Sequence, residues 1–208
     1  MRVLIACEES QRVCIAFRER GHEAYSCDLL PCSGGHPEWH IQADAQELLK
    51  LKWDLLIARP PCTYLTAAGA TRLYDSNHKI KDDERYKKGL EAKAFFLRFL
   101  EADCPRVCVE NPAPLHIYDL PPASQRIEPY MFGDPWKKRT YLWLRGLPIL
   151  MATEIVIPEG CWVSAGGGYS DRTRHDWYSK KGTKSAKLRS RTFPGVAAAM
   201  ASQWGNLE

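Results

Sequence analysis

The feature that most constrains this chain is the stretch Trp53-Asp54-Leu55-Leu56-Ile57-Ala58-Arg59-Pro60-Pro61-Cys62. Leu55 to Ala58 is an uninterrupted apolar run with Trp53 ahead of it, the pattern of a strand covered on both faces in a parallel sheet. The run stops at Pro60-Pro61, because neither proline can donate to a ladder and each restricts the residue before it. Cys62 therefore stands just past the carboxyl end of a central strand, where open α/β sheets place their chemistry. Arg59 beside it would lower the thiol pKa from about 8.5 towards neutrality and make Cys62 a nucleophile. The same residues also fit a buried cysteine after a stiff turn.

The pattern recurs along the chain. Arg2 to Cys7 predicts a first buried strand, and Ser10 an N-cap for a helix to about Arg20, with Val13, Ala16 and Phe17 on one face and Gly21 closing it. Glu23 to Cys27 predicts a second strand ending at Asp28, which completes a right-handed crossover unit. A short strand at His40 to Gln42 leads to Asp44, a cap for a helix from Ala45 to Lys50. A long helix is expected from about Glu84 to Ala102, with Leu90, Ala94, Leu97, Phe96 and Leu100 as its apolar stripe. Pro105 then opens a strand, Arg106 to Val109, that ends at Glu110-Asn111-Pro112. Gln125 to Phe132 and Arg139 to Leu144 read as two more strands joined by Gly133-Asp134-Pro135, with Trp136-Lys137-Lys138-Arg139 putting three cations at the start of the second. The class is α/β, a mostly parallel sheet with helices on both faces, in a single domain over residues 1–208.

Three acidic residues fall at predicted strand ends. Asp28 can accept hydrogen bonds from ribose hydroxyls or serve as a turn residue. Asp44 can cap its helix, bind a ligand, or both. Glu110, partly desolvated, would have a raised pKa and act as an acid, or hold a base edge by hydrogen bonds.

Other classes are disfavoured. The amino terminus meets acidic residues too soon for a signal peptide. No apolar run approaches the roughly 18 residues of a membrane span, so a membrane partner is not expected. Eight cysteines without a secretion signal, several of them in strand-like runs, point to a reducing cytoplasm rather than a disulfide framework. Cys27, Cys32, His36 and His40 have a metal-like spacing, but Pro37 breaks the helix a zinc finger needs, and no metal is expected. The stretch from Asp75 to Lys88 is polar and charged, either a lid or a solvated loop. Net charge is only +4, yet Asp171 to Arg191 holds eight cations against two acids, a net +6. That segment fits a polyanionic partner or a solvated loop.

With Pro60-Pro61-Cys62 on one strand end and Glu110-Asn111 on the next, the chain resembles the cytosine-C5 DNA methyltransferases. Gly133-Asp134-Pro135-Trp136-Lys137-Lys138-Arg139-Thr140 is similar to that family's later arginine motif, and Phe193-Pro194-Gly195-Val196-Ala197-Ala198-Ala199-Met200 to its last, helical one. The resemblance covers most of residues 1–145 and 190–205. It implies a Rossmann-like S-adenosylmethionine-dependent methyltransferase sheet. It further implies methyl transfer from S-adenosylmethionine to carbon 5 of cytosine in DNA, through a covalent Cys62 intermediate. Glu110 would hold ring nitrogen N3 and the amino group, and Arg139 the base or the surroundings of Cys62. Cofactor contacts would fall to Glu9, Ser10, Asp28, Asp44 and Pro60, with Asp28 on the ribose and Asp44 on the adenine amino group. Arg59, Asn111, Lys180 and Lys181 would meet the substrate.

Three departures shape the expectation. The turn after the first strand is Cys7-Glu8-Glu9-Ser10-Gln11-Arg12, without the family's glycines. Trp136 stands where the arginine motif has glutamine. Between Gly146 and Ser190 lies a short basic, glycine-containing insertion at about 146–190 in place of a whole target-recognition domain. Two alternatives follow: a free cytosine nucleotide as substrate, or a non-catalytic binding module that has lost its cofactor turn. Recognition of a DNA sequence would need a homodimer or a separate recognition subunit. A zinc nucleobase deaminase is set aside, because the chain has no P-C-x-x-C signature.

Overall fold

The computed structural model describes residues 1–163, 180–183 and 185–207. The strands are β1 Arg2–Ala6, β2 Glu23–Asp28, β3 His40–Gln42, β4 Leu55–Ala58, β5 Val107–Asn111, β6 Gln125–Ile127, β7 Trp136–Lys137, β8 Thr140–Arg145, β9 Gly160–Val163 and β10 Lys180–Thr183. The α-helices are α1 Arg12–Arg18, α2 Ala45–Leu48, α3 Ala70–Leu73, α4 Asp83–Leu100, α5 Ala186–Ser190 and α6 Pro194–Trp204. Seven strands form one sheet in the order β3-β2-β1-β4-β5-β8-β6, and β10-β9-β7 form a second, small one. In the large sheet β3, β2, β1, β4 and β5 are mutually parallel, while β8 pairs antiparallel with both β5 and β6. This is a Rossmann-like, doubly wound α/β fold. Its strand order reverses between β1 and β4, which puts the crevice outside their carboxyl ends.

The apolar runs are continuous because both faces of the sheet are covered. Val3, Ile5, Leu55, Ile57 and Cys108 face one core with α1 and α6. Leu4, Ala6, Leu56, Ala58, Val107 and Val109 face the other, with Phe96 and Phe99 of α4. Alternation along each strand thus divides one apolar run between two layers.

Several expectations shift in detail. Ser10 does not cap α1: the helix starts at Arg12, Gln11 occupies the cap position at φ 57°, and no side chain of that residue bonds the helix. The donors go instead to the buried carboxylate of Glu8, which accepts Val13 N–H at 2.9 Å and Cys14 N–H at 3.2 Å. The left-handed turns that glycines would supply are made by Cys7 (φ 59°) and Gln11. A Cβ on Gly34 would stand 2.8 Å from the carbonyl oxygen of Ser10, so the loop after β2 lies directly on the turn.

The apolar stripe of α4 is the expected one in its second half, where Phe96 is buried and Leu97 and Leu100 pack against the core; Leu90 and Ala94 are exposed instead, and Gly89 and Phe99 complete the buried face. The expected strand from Gln125 to Phe132 stops at Ile127, since Pro129 cannot continue the ladder. The stretch expected as a lid or loop begins as an exposed turn, where the Asp75 carboxylate accepts Asn77 N–H and Lys79 N–H. From Asp83 it is already α4.

Gly89 offers a first test. A Cβ there would overlap the ring and hydroxyl of buried Tyr118, which packs on the helix at that point. Gly89→Ala should therefore destabilise by about 1–3 kcal/mol through overpacking, despite the roughly 1 kcal/mol that alanine gains in a helix interior. Chemical denaturation checks the sign, and a more stable variant would refute the contact.

Candidate active site

The site lies on the carboxyl ends of β1, β4 and β5. β4 and β5 are paired in parallel with Ala58 opposite Val109, so the segment after Ala58 runs beside Glu110 and Asn111. The Asn111 side-chain amide donates to the carbonyl of buried Pro60 at 3.0 Å, which ties the Pro-Pro-Cys turn to the Glu-Asn strand end. Beyond it the carbonyl of Cys62 accepts Leu65 N–H and Thr66 N–H at 3.1 and 3.0 Å. Cys62 is thus presented, half-buried, on a backbone fixed from both sides.

Arg59 does something other than activate Cys62. Its Nε donates to Glu110 Oε2 at 2.6 Å, Nη1 lies 4.0 Å from Glu8 Oε1, and Nη2 donates to the carbonyl of Ser190. With its side chain 9% exposed, Arg59 is a largely buried cation shared by the buried carboxylate of Glu8 and the 13% exposed one of Glu110. Burial pushes the Cys62 thiol up, and the Glu110 charge adds to this, while Lys138 and Arg189 pull it down. The expected lowering by Arg59 is therefore overturned: the guanidinium turns to the carboxylates, and the resting thiol is protonated.

Glu110 is corrected in the opposite direction. Burial alone would raise its carboxyl, but the charges of Arg59 and Lys138 outweigh it and hold the group below the usual carboxylate range. Glu110 is therefore an ionised acceptor, not a resting acid. Glu8 keeps a raised carboxyl, because complete burial outweighs Arg59 and the two backbone donors.

The remaining predicted residues divide into two groups. Glu9 and Ser10, on the turn after β1, are buried, and neither Glu9 carboxylate oxygen nor Ser10 Oγ has a hydrogen-bond partner. Lys187 Nζ approaches Glu9 only to 3.9 Å. Asp28, at the end of β2, accepts Leu30 N–H at 2.9 Å, with Leu29 and Leu30 exposed beside it at 72% and 58%. Asp44 caps α2 and has both carboxylate oxygens engaged by Gln46.

Arg139 faces Glu128, at 4.0 Å. Lys138 and Thr140, two residues apart, line a small cavity together with Arg59 and Glu110. Lys138 and Arg139 form the short connection between β7 and β8, and there Lys138 lines the cavity with Glu110 while Arg139 turns to Glu128. Lys180 and Lys181 lie on β10, paired with Gly160 and Cys161 of β9. The rest of the basic segment, residues 171–179 and 184, lies outside the described residues; Lys187, Arg189 and Arg191 are within them. All eight cysteines are free, and among the described residues there is no metal-ligating cluster and no helix long and apolar enough to cross a membrane.

Sequence reasoning missed Glu8 and Lys138. Glu8 was legible only as one of two acids in the first turn. Lys138 was visible as a cation of the Trp136–Arg139 run, but its direction depends on the path of the connection between β7 and β8.

No family model and no curated protein matches the chain. Similar solved structures include an E. coli prophage protein described as a DNA modification methyltransferase, at 14% identity and a TM-score of 0.46, covering 76% of this chain and 52% of that one. Another is the S. pombe Dnmt2 methyltransferase, at 11% identity and 0.42, covering 72% and 52%. The chain spans about half the length of these structures.

Proposed function

We propose that this chain is a minimal cytosine-C5 methyltransferase acting on DNA, with Cys62 as nucleophile and Glu110 as the group that holds the pyrimidine edge. The observation that carries the reading is the Asn111–Pro60 bond, which locks Cys62 and Glu110 together on adjacent strand ends. Carbon 5 of cytosine is a poor nucleophile until a group adds at carbon 6, and a thiolate is suited to that addition. Glu110, ionised and oriented by Arg59, would accept the amino N–H of the base and fix the ring over Cys62. Arg59 itself is committed to the two carboxylates, so it would position Glu110 rather than meet the substrate.

The residues of the first turn fit the amino-acid end of S-adenosylmethionine. A buried carboxylate whose oxygens accept no hydrogen bond, with Lys187 no nearer than 3.9 Å, calls for a closer cation such as an α-ammonium, and the hydroxyl of Ser10, without a hydrogen-bond partner, for a carboxylate. Asp28 would take ribose hydroxyls, and exposed Leu29 or Leu30 an adenine face. Asp44 would take the adenine amino group on Oδ2, which accepts only one hydrogen bond, from Gln46 Nε2. The cofactor would supply the methyl group. Lys180 and Lys181 would contact substrate phosphates.

A free cytosine nucleotide is the second reading. What favours it is that two of the described cations of the basic segment are engaged by the domain itself: exposed Lys187 lies 3.9 Å from Glu9, and Arg191 donates to Ser33 Oγ at 3.0 Å. The deciding experiment incubates the protein with methyl-labelled S-adenosylmethionine and either DNA or cytosine nucleotides. Label in DNA supports the first reading, label in nucleotide the second, and label in neither removes both. By calorimetry, Asp28→Ala should weaken cofactor binding by about 1–2 kcal/mol, the scale of a lost charged acceptor. Unchanged affinity would take Asp28 out of the cofactor site.

A further inference from the structure

The segment after Cys62 is tied down on two sides. On the side of β5, Leu115 N–H donates to the carbonyl of fully buried Leu65 at 2.7 Å, and Ala67 N–H to that of Ala113 at 2.9 Å. On the other side stands Arg85, in the first turn of α4, where its own N–H is capped by the Asp82 carboxylate at 2.8 Å. Arg85 Nη2 donates to the carbonyl of Thr63 at 2.8 Å, and the guanidinium lies over the ring of Tyr64, 5.1 Å from its centroid. Thr63 and Tyr64 are the two residues that follow Cys62. Lys88, the other cation near that ring at 6.0 Å, is committed to Glu84.

Gly69 makes room for this contact. It is buried at the start of α3, and a Cβ on it would stand 2.6 Å from Arg85 Nη2 and 3.6 Å from the carbonyl oxygen of Thr63. The guanidinium reaches Thr63 because position 69 carries no side chain.

We propose that Arg85 is a positioning residue for Cys62, holding the thiol half-buried at the Glu110 strand end by fixing the Thr63-Tyr64 backbone. The inference rests on the reading of Cys62 as the nucleophile. Arg85 bonds the main chain next to Cys62, so it acts through Thr63 and not on the base. Without it, the turn would be held after Cys62 only from the β5 side, through Leu65 and Ala67, and the residues between could pivot. The planar fork suits the task, since one face can lie on a ring while an edge donates to a carbonyl. A displacement of about 1 Å is enough to cost about 10²-fold in rate.

Two variants break the link in different ways. Arg85→Leu removes the guanidinium. Gly69→Ala keeps it but places a methyl group against the Nη2–Thr63 bond, at a φ of −90° that alanine adopts without strain. Each should raise the rate of Cys62 alkylation by iodoacetamide severalfold, read on the Cys62 peptide by mass spectrometry, with fully buried Cys108 as reactive as in the wild type. Each should also lower kcat for methyl transfer about 10–100-fold, with KM for S-adenosylmethionine unchanged. A misplaced thiol is more open to a free reagent and less useful in the reaction, whereas a loosened fold exposes both cysteines together. Cys62 alkylated at the wild-type rate in either variant would overturn the proposal, as would a parallel rise at Cys108 in both or an unchanged kcat. If the wild type methylates neither DNA nor a cytosine nucleotide, the cytosine reading fails. The alkylation rates then decide alone whether Arg85 positions Cys62.

Discussion

Replacing Cys62 by serine is expected to abolish turnover, by more than about four orders of magnitude, while cofactor binding and folding persist. The thiol is half-buried and sits on a turn pinned by Asn111, so the hydroxyl of serine would occupy the same place without distorting it. What is lost is the nucleophile. A serine hydroxyl is far harder to deprotonate than a thiol, even one whose pKa burial and Glu110 already raise. Glu110→Gln should slow the reaction about 10²–10⁴-fold, and the double variant should be little worse than Cys62→Ser, because the two act as a unit. A 5-fluorocytosine substrate should trap the wild type, since fluorine cannot leave carbon 5 as a proton does. Mass spectrometry should then find the adduct on the peptide containing Cys62. Turnover by Cys62→Ser, or an adduct on another cysteine, would end the covalent reading.

The second large effect is on stability. Arg59→Met should cost about 3–5 kcal/mol at pH 7, because it strips the shared cation from Glu8 and Glu110 and leaves buried carboxylates uncompensated. The loss should depend on pH in a definite sense. In the wild type, the Glu110 carboxyl is held below its ordinary value, so its contribution to stability is present above about pH 4.3 and is lost as pH falls through the lower, folded value. In the variant, burial prevails further at Glu8 and the hold on Glu110 weakens to that of Lys138. Both carboxyls move up relative to the wild type, so the variant falls behind it increasingly as pH rises above about 4.3. The stability gap between wild type and variant should therefore be larger at pH 7 than at pH 4.5. Urea unfolding at the two values measures it, and an equal gap at both would mean that the Arg59 effect is packing alone.

Much of the framework was legible because it depends on local rules. Leu55–Ala58 is the observed β4 because four apolar residues before two prolines can hardly be anything else in a sheet covered on both faces. Asp44 caps α2 as expected, since a helix N-cap is satisfied within three residues. The cap of α1 was misread for the complementary reason. Ser10 was the local candidate, but Glu8 reaches the same donors from four residues before the helix, across a turn closed by left-handed Gln11. No periodicity encodes that path.

The sequence by itself determined which residues end the strands: Cys62 after β4, Glu110 and Asn111 at the end of β5, Asp28 at the end of β2. Strand ends follow from apolar runs and prolines, which are properties of neighbouring residues. The tertiary structure alone decided what those residues do to one another. Arg59 adjoins the Cys62 turn in sequence, yet its guanidinium reaches Glu110, 51 residues away, and comes within 4.0 Å of Glu8. That choice reverses the expected directions for both Cys62 and Glu110. Lys138 lines the cavity with Glu110, and Arg139 faces Glu128, from the short connection that carries the chain from the small sheet into β8. Protonation state depends on burial and on charges brought together from distant segments. Those quantities exist only once the sheet has been assembled.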